Sequence, residues 1–260
     1  MSEATSQAEG SVMKTAVVTG ASGGIGSAIA RRLAADGFAV IAGYHRAVER
    51  ADSLVASLPG QGHRAVRIAV DEPPSLTELS LSLEKSPGSL DVLVNCAGMT
   101  RSVPHDDLDA LDDATIDEIF TTNWRGPFAA VRALRTLLDK AHGAQGAVVV
   151  NISSVSGVTG QGSNVAYCAS KAALDSMTRS LARALAPSVR VVSVSPGWVL
   201  GEYADQVPSE YLDAQRSGTP LGRLATADDV ASAVSAVVRD LPFTTGAIIS
   251  VDGGRPLGLT

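Results

Sequence analysis

Short apolar runs rich in valine, isoleucine and alanine recur along this chain, each parted from the next by a stretch with helical periodicity. That rhythm constrains the fold more than any other feature, because it marks a parallel sheet whose strands are joined by covering helices. The runs are Thr15 to Thr19, Ala39 to Ala42, Ala65 to Val70, Leu90 to Asn95, Ala147 to Ser153, Val189 to Ser195 and Ala247 to Val251. Their near-continuous apolar character fits strands buried on both faces. Helical periodicity falls at Ile25 to Ala35, Val48 to Leu58, Ser75 to Lys85, Thr115 to Lys140, Asn164 to Ala186 and Thr226 to Arg239. Seven strands with six intervening helical regions predict an α/β fold, a single-domain doubly wound parallel sheet with helices on both faces.

No Pro/Ser-rich linker divides the 260 residues, so one domain is expected over 13–260, preceded by a flexible tail at 1–12. A net charge of −6 without any basic block argues against a nucleic-acid surface. No apolar run approaches a membrane span and the polar start lacks a leader pattern, so a cytoplasmic protein is expected. Cys96 and Cys168 are too few for a disulfide framework, and no histidine sits near Cys168 in sequence to activate it. The four histidines show no metal-ligand spacing, so no metal is expected.

In doubly wound sheets ligands bind beyond the carboxyl ends of the strands, and two segments there carry chemistry. The first runs from Thr19 through Gly20, Ser22, Gly23, Gly24 and Ile25 to Gly26, between the first strand and the first helix. Glycines permit close approach of backbone to a pyrophosphate, and a helix N-terminus offers unpaired N–H groups. The second is Tyr167-Cys168-Ala169-Ser170-Lys171. Four residues apart on a helix, phenol and ammonium share a face, and the cation favours phenolate, as an acid/base catalyst near neutral pH requires.

The spacing Gly-x-x-x-Gly-x-Gly, taken with Asn95-Cys96-Ala97-Gly98, Asn123, Ser154, Tyr167, Lys171 and Pro196-Gly197, resembles the short-chain dehydrogenase/reductase family over about Met13 to Gly254. The resemblance implies a Rossmann-like sheet in the order 3-2-1-4-5-6-7. It implies that Tyr167 exchanges a proton with the substrate oxygen while a nicotinamide carries hydride. Lys171 would assist Tyr167 and hold the nicotinamide ribose, Ser154 would orient the substrate oxygen, and Asn123, near the Gly126-Pro127 step, would steady a water relay to Lys171. The cofactor would lie along Gly20, Ser22, Gly24, Ile25, Gly26, Tyr44, His45, Arg46, Val70, Asn95, Ala97, Gly98, Tyr167, Lys171, Pro196, Gly197 and Val199.

The second strand ends in Ala42-Gly43-Tyr44-His45-Arg46, with no carboxylate to hold a ribose 2′-hydroxyl and with an arginine suited to a 2′-phosphate. NADP(H) is therefore expected over NAD(H), although Gly23 stands where NADP-linked relatives often carry a second basic residue. Three positions depart from the family pattern. Cys96 replaces an asparagine, Ala69 an aspartate that bonds adenine, and Gly201 a threonine that touches the nicotinamide carboxamide or a phosphate.

Leu200 to Gly218 shows few strand or helix signals and, with Trp198 just before it, is expected to form a substrate lid over about 198–218. Ser154, Tyr167, Trp198 and Tyr203 are the expected substrate contacts. The tail, Pro220-Leu221-Gly222-Arg223-Leu224 and Val251-Asp252-Gly253-Gly254, resembles 3-oxoacyl-[acyl-carrier-protein] reductases. These features imply an NADPH-dependent carbonyl reductase, with 3-oxoacyl thioesters among its candidate substrates, and a homotetramer as in relatives. The competing expectations are a sugar, steroid or other secondary-alcohol dehydrogenase, and a nucleotide sensor that kept the fold without the chemistry.

Overall fold

A computed structural model describes residues 13–142, 145–201 and 207–255. The apolar runs become β1 (Thr15–Val18), β2 (Ala39–Tyr44), β3 (Arg64–Arg67), β4 (Val92–Asn95), β5 (Ala147–Ile152), β6 (Val189–Pro196) and β7 (Ile248–Val251). All pair in parallel, in the order β3-β2-β1-β4-β5-β6-β7. The order reverses between β1 and β4, which opens a crevice at their carboxyl ends. Every residue of β1, β4, β5 and β6 is buried, as the unbroken apolar runs require. The expected tail at 1–12 lies outside the described residues.

Helices cover both faces. On one side α1 (Gly24–Ala35) and α9 (Ala227–Arg239) pack through Ile29, Leu33, Val230 and Val234 against Val18, Val94 and Val150. On the other, α3 (Pro73–Lys85), α5 (Gly126–Leu138) and α7 (Val165–Leu185) pack through Leu79, Leu134 and Leu185 against Val17, Leu93 and Val149. The remaining helices are α2 (Val48–Ser57), α4 (Asp113–Phe120), the short α6 (Ser156–Thr159) and α8 (Ser209–Ser217). Among the described residues no helix is long and apolar enough to cross a membrane.

Two findings differ from the sequence reading. The segment from Leu200 to Gly218, read as showing few strand or helix signals, contains α8. Its polar sequence buries only Gln215, so it lacks the apolar stripe that would have signalled a helix. The expected helix from Thr115 to Lys140 is interrupted by a π-helical turn at Thr121–Arg125, where the Gly126 N–H reaches back to Thr121 O. Pro127 explains it, since proline has no N–H to give the Asn123 carbonyl four residues earlier.

Candidate active site

Chain segments beyond the carboxyl ends of β1, β2, β4, β5 and β6, with α8 above them, line a cavity of about 1570 Å³. The turn after β1 can approach so closely only because it is glycine. A Cβ on Gly26 would lie 2.2 Å from Gly20 O, and one on Gly20 would lie 2.9 Å from Ala97 Cα. Thr19 fastens the two turns together, its Oγ1 accepting the N–H groups of Cys96 and Ala97 at 3.0 Å each. No side chain caps α1, and its first residues Gly24, Ile25 and Gly26 line the cavity, so the N–H groups that a helix leaves unpaired belong to that wall.

Tyr167 and Lys171 stand one turn apart on α7, both on the cavity wall, with Lys171 Nζ 5.7 Å from the Tyr167 ring centroid. Lys171 is 6% exposed and donates to Ile152 O at 2.9 Å, which ties it to the end of β5. Burial pulls its pKa down to about 8, against the opposing influence of Cys96 and Asp175. Burial also pushes the Cys96 thiol up to about 12, and it raises that of Cys168, so both thiols stay protonated near neutral pH and neither is a ready nucleophile. Ser154 follows β5; its Oγ donates to Ser156 Oγ at 3.1 Å and accepts the Ser156 N–H at 3.2 Å.

The wall also holds the expected Gly20, Ser22, His45, Arg46, Val70, Ala97, Gly98, Pro196, Gly197, Trp198 and Val199. Three expected residues are absent from it. Asn95 is buried in the sheet, donating to Asn151 Oδ1 at 2.8 Å. Tyr44 ends β2 half-buried, and the wall begins one residue later at His45. Asn123 is buried behind Gly98. It accepts the Met99 N–H at 2.8 Å and donates to Met99 O at 2.9 Å and Ser170 Oγ at 3.1 Å, so its side chain binds protein on every arm. Tyr203 lies outside the described residues.

Sequence reasoning missed several wall residues. Arg50 stands four residues after Arg46 at the β2 end, one turn into α2. Thr100, Ser102, Gln161 and Ser163 give the other end a polar side, and the Thr100 and Ser163 hydroxyls bond each other. Tyr211, an aromatic residue of the expected lid rather than a missed one, stands on the unforeseen α8 and meets Trp198 edge to face with centroids 5.4 Å apart. Arg255 arrives from beyond β7 and donates to Gln215 O at 2.6 Å. Among the described residues no group of three or more His, Cys, Asp or Glu could hold a metal.

A crystal structure described as a short-chain dehydrogenase/reductase from Burkholderia xenovorans matches 95% of this chain and all of that chain, with a TM-score of 0.87 and 30% identity. A family model described as Enoyl-(Acyl carrier protein) reductase matches residues 20–255. The chain belongs to the short-chain dehydrogenase/reductase family. Curated members of this family resemble it over 93% of its length. One is cis-4-hydroxycyclohexanecarboxylate dehydrogenase of Sinomonas cyclohexanicum, 37% identical and covered over 96% of its own length. Another is 3-oxoacyl-[acyl-carrier-protein] reductase of Staphylococcus aureus, 32% identical and covered over 97%. Short-chain dehydrogenase/reductase membership makes the chain an oxidoreductase that uses a nicotinamide cofactor with a small-molecule substrate.

Proposed function

We propose that the chain is an NADPH-dependent carbonyl reductase that converts a ketone to a secondary alcohol, with Tyr167 as the general acid. The observation that carries this reading is the pairing of Tyr167 with the buried Lys171 on one turn of α7, in the same cavity as Ser154 and the uncapped start of α1. The bound cofactor supplies the hydride. Tyr167 gives its phenolic proton to the carbonyl oxygen as the alkoxide forms, and Ser154 donates to that same oxygen and fixes its position. Lys171 favours the phenolate left behind, and the Ile152 carbonyl holds its ammonium in place. Asn123 steadies the loop at Met99 and the helix at Ser170. In this reading Asn123 serves the relay to Lys171 by holding that loop and helix in register.

The residues suit the cofactor. Close glycine backbone and the first-turn N–H groups of α1 fit a pyrophosphate. Arg46 and Arg50 on the wall beside His45 fit a ribose 2′-phosphate, which supports NADP(H) over NAD(H). Arg50 supplies the second basic residue that Gly23 does not.

A second reading, a secondary-alcohol dehydrogenase, is favoured by the polar side formed by Thr100, Ser102, Gln161 and Ser163, which suits a compact polar substrate better than a long acyl chain. The similarity to a hydroxycyclohexanecarboxylate dehydrogenase points the same way. Assembly as a cytoplasmic homotetramer belongs to the same proposal. It is supported by the sheet edge at β7 and by the fully exposed Phe243 just before it.

Following NADPH and NADH absorbance against ketones, β-ketoacyl thioesters and 4-oxocyclohexanecarboxylate tests the reading. Oxidation of NADPH with a ketone is expected. Turnover confined to NAD and an alcohol would replace it with the second reading.

A further inference from the structure

Helix α7 carries a third ionisable side chain in step with the first two. Tyr167, Lys171 and Asp175 follow one another at intervals of four, and Asp175 is 3% exposed. Neither of its carboxylate oxygens has a hydrogen bond of good geometry. The Ser153 and Ser193 hydroxyls are its polar neighbours, but both are engaged elsewhere. Ser153 Oγ donates to Lys171 O at 3.3 Å, and Ser193 Oγ pairs with Thr178 Oγ1 at 2.8 Å. A buried carboxylate without strong bonds costs stability, and an apolar side chain would fill the place better. Packing therefore gives no reason for an aspartate at this position.

Its charge does give one. Besides the Tyr167 phenol that it faces, Lys171 feels the charges of Cys96 and Asp175, and the Cys96 thiol stays neutral until about pH 12. Asp175, one helical turn along α7, is thus the carboxyl whose charge acts on the buried ammonium. The groups facing Asp175 are Lys171 and Arg179 on its own helix, the Ser153 hydroxyl beyond β5 and the Ser193 hydroxyl on β6. Burial raises the Asp175 carboxyl above the ordinary range, and the two hydroxyls and two cations oppose that rise.

We propose that Asp175 is a positioning residue for proton transfer, its carboxylate one helical turn behind Lys171 keeping that lysine cationic and so setting the alkaline limit of turnover. The inference rests on the reading of Tyr167 and Lys171 as the proton-transfer pair. Asp175 touches neither substrate nor cofactor in this arrangement; it acts only through Lys171.

Competitive acetylation of Lys171, followed by peptide mass spectrometry from about pH 6 to about pH 10, reads the lysine without any turnover. Wild type should show a midpoint near 8. Asp175→Asn should lower it by on the order of one pH unit, the scale of a lost opposite charge, and Asp175→Glu should restore it. The alkaline limb of the turnover profile should move by the same shift, with cofactor affinity held within about 2-fold. Equal midpoints in wild type and Asp175→Asn would overturn the proposal. If the asparagine variant fails to fold, carbon NMR of wild type labelled at aspartate Cγ decides. A buried aspartate that is ionised at neutral pH and responds again as Lys171 titrates supports the proposal, and one still protonated there overturns it. A shifted Lys171 midpoint together with full turnover by Tyr167→Phe would uphold the coupling and sink the reductase mechanism instead.

Discussion

Asn164 holds the start of the helix that carries Tyr167: its Oδ1 accepts the Tyr167 N–H at 2.7 Å, while its Nδ2 donates to Arg101 O at 2.7 Å. The residue is fully buried, so the cap is shielded from water and joins α7 to the loop after β4. Asn164→Ala removes the cap and leaves the Arg101 carbonyl without that donor. Urea denaturation should show a loss of about 1–2 kcal/mol. Turnover should fall more than cofactor affinity, because the phenol loses its register while the turn after β1 is untouched.

Tyr167→Phe keeps the ring against Lys171 and removes only the hydroxyl. Cofactor titration should change by less than about 2-fold, while turnover should drop by roughly 10²- to 10⁴-fold, the range of a lost acid/base group. Retained turnover would remove the phenol from the mechanism.

Arg46→Ala and Arg50→Ala test cofactor choice. A charge-assisted bond to a phosphate is worth about 1.5–3 kcal/mol, so each variant should raise KM for NADPH by roughly 10- to 100-fold. KM for NADH should stay nearly constant, because NADH offers no 2′-phosphate. Parallel losses with both cofactors would show that the two arginines do not discriminate.

Gly26→Ala places a methyl group 2.2 Å from Gly20 O and 2.9 Å from Ala21 Cα, both backbone atoms that cannot swing aside. The turn after β1 must open to admit it. A stability loss of about 1–3 kcal/mol is expected, with cofactor affinity falling at least about 10-fold as the N–H groups at the start of α1 shift. Thermal unfolding and cofactor titration measure the two effects separately.

What the sequence disclosed tracks the reach of local rules. The strands were legible because burial on both faces leaves an unbroken apolar run, as in Val92–Asn95 and Ala147–Ile152. Tyr167 and Lys171 were legible because helical spacing puts them on one face and the motifs around them, Ser154, Asn123 and the glycine turn, carry the family resemblance. Helix α8 was hidden because its residues bury almost nothing and its place depends on neighbours such as Arg255, which caps its last turn from far along the chain. Asn95 and Tyr44 stand beside cavity residues in sequence, yet the nitrogen of Asn95 is claimed by Asn151 on the next strand, a pairing visible only once β4 and β5 are aligned. Asp175 shares the helical spacing of the pair before it, but its burial without strong bonds emerges only in three dimensions.

The burial of Lys171 should make stability and activity respond to pH in opposite directions. Its pKa in the folded chain is about 8, against an ordinary value of 10.5, because burial disfavours the charged form. Below about 8 folded and unfolded chains both hold the proton, and the full burial penalty applies. From there to 10.5 the unfolded chain holds a proton that the folded chain has lost, so stability rises with pH across that window. The penalty removed is on the order of 3 kcal/mol. Lys171→Met lacks this group, so the difference between wild type and variant in urea unfolding isolates it. The variant should be the more stable protein at neutral pH, and its advantage should shrink as pH climbs past 8. Wild-type turnover should decline over the same rise, since a neutral lysine no longer favours the Tyr167 phenolate. An advantage that is constant with pH would show that Lys171 keeps its proton throughout, and that something else limits turnover in alkali.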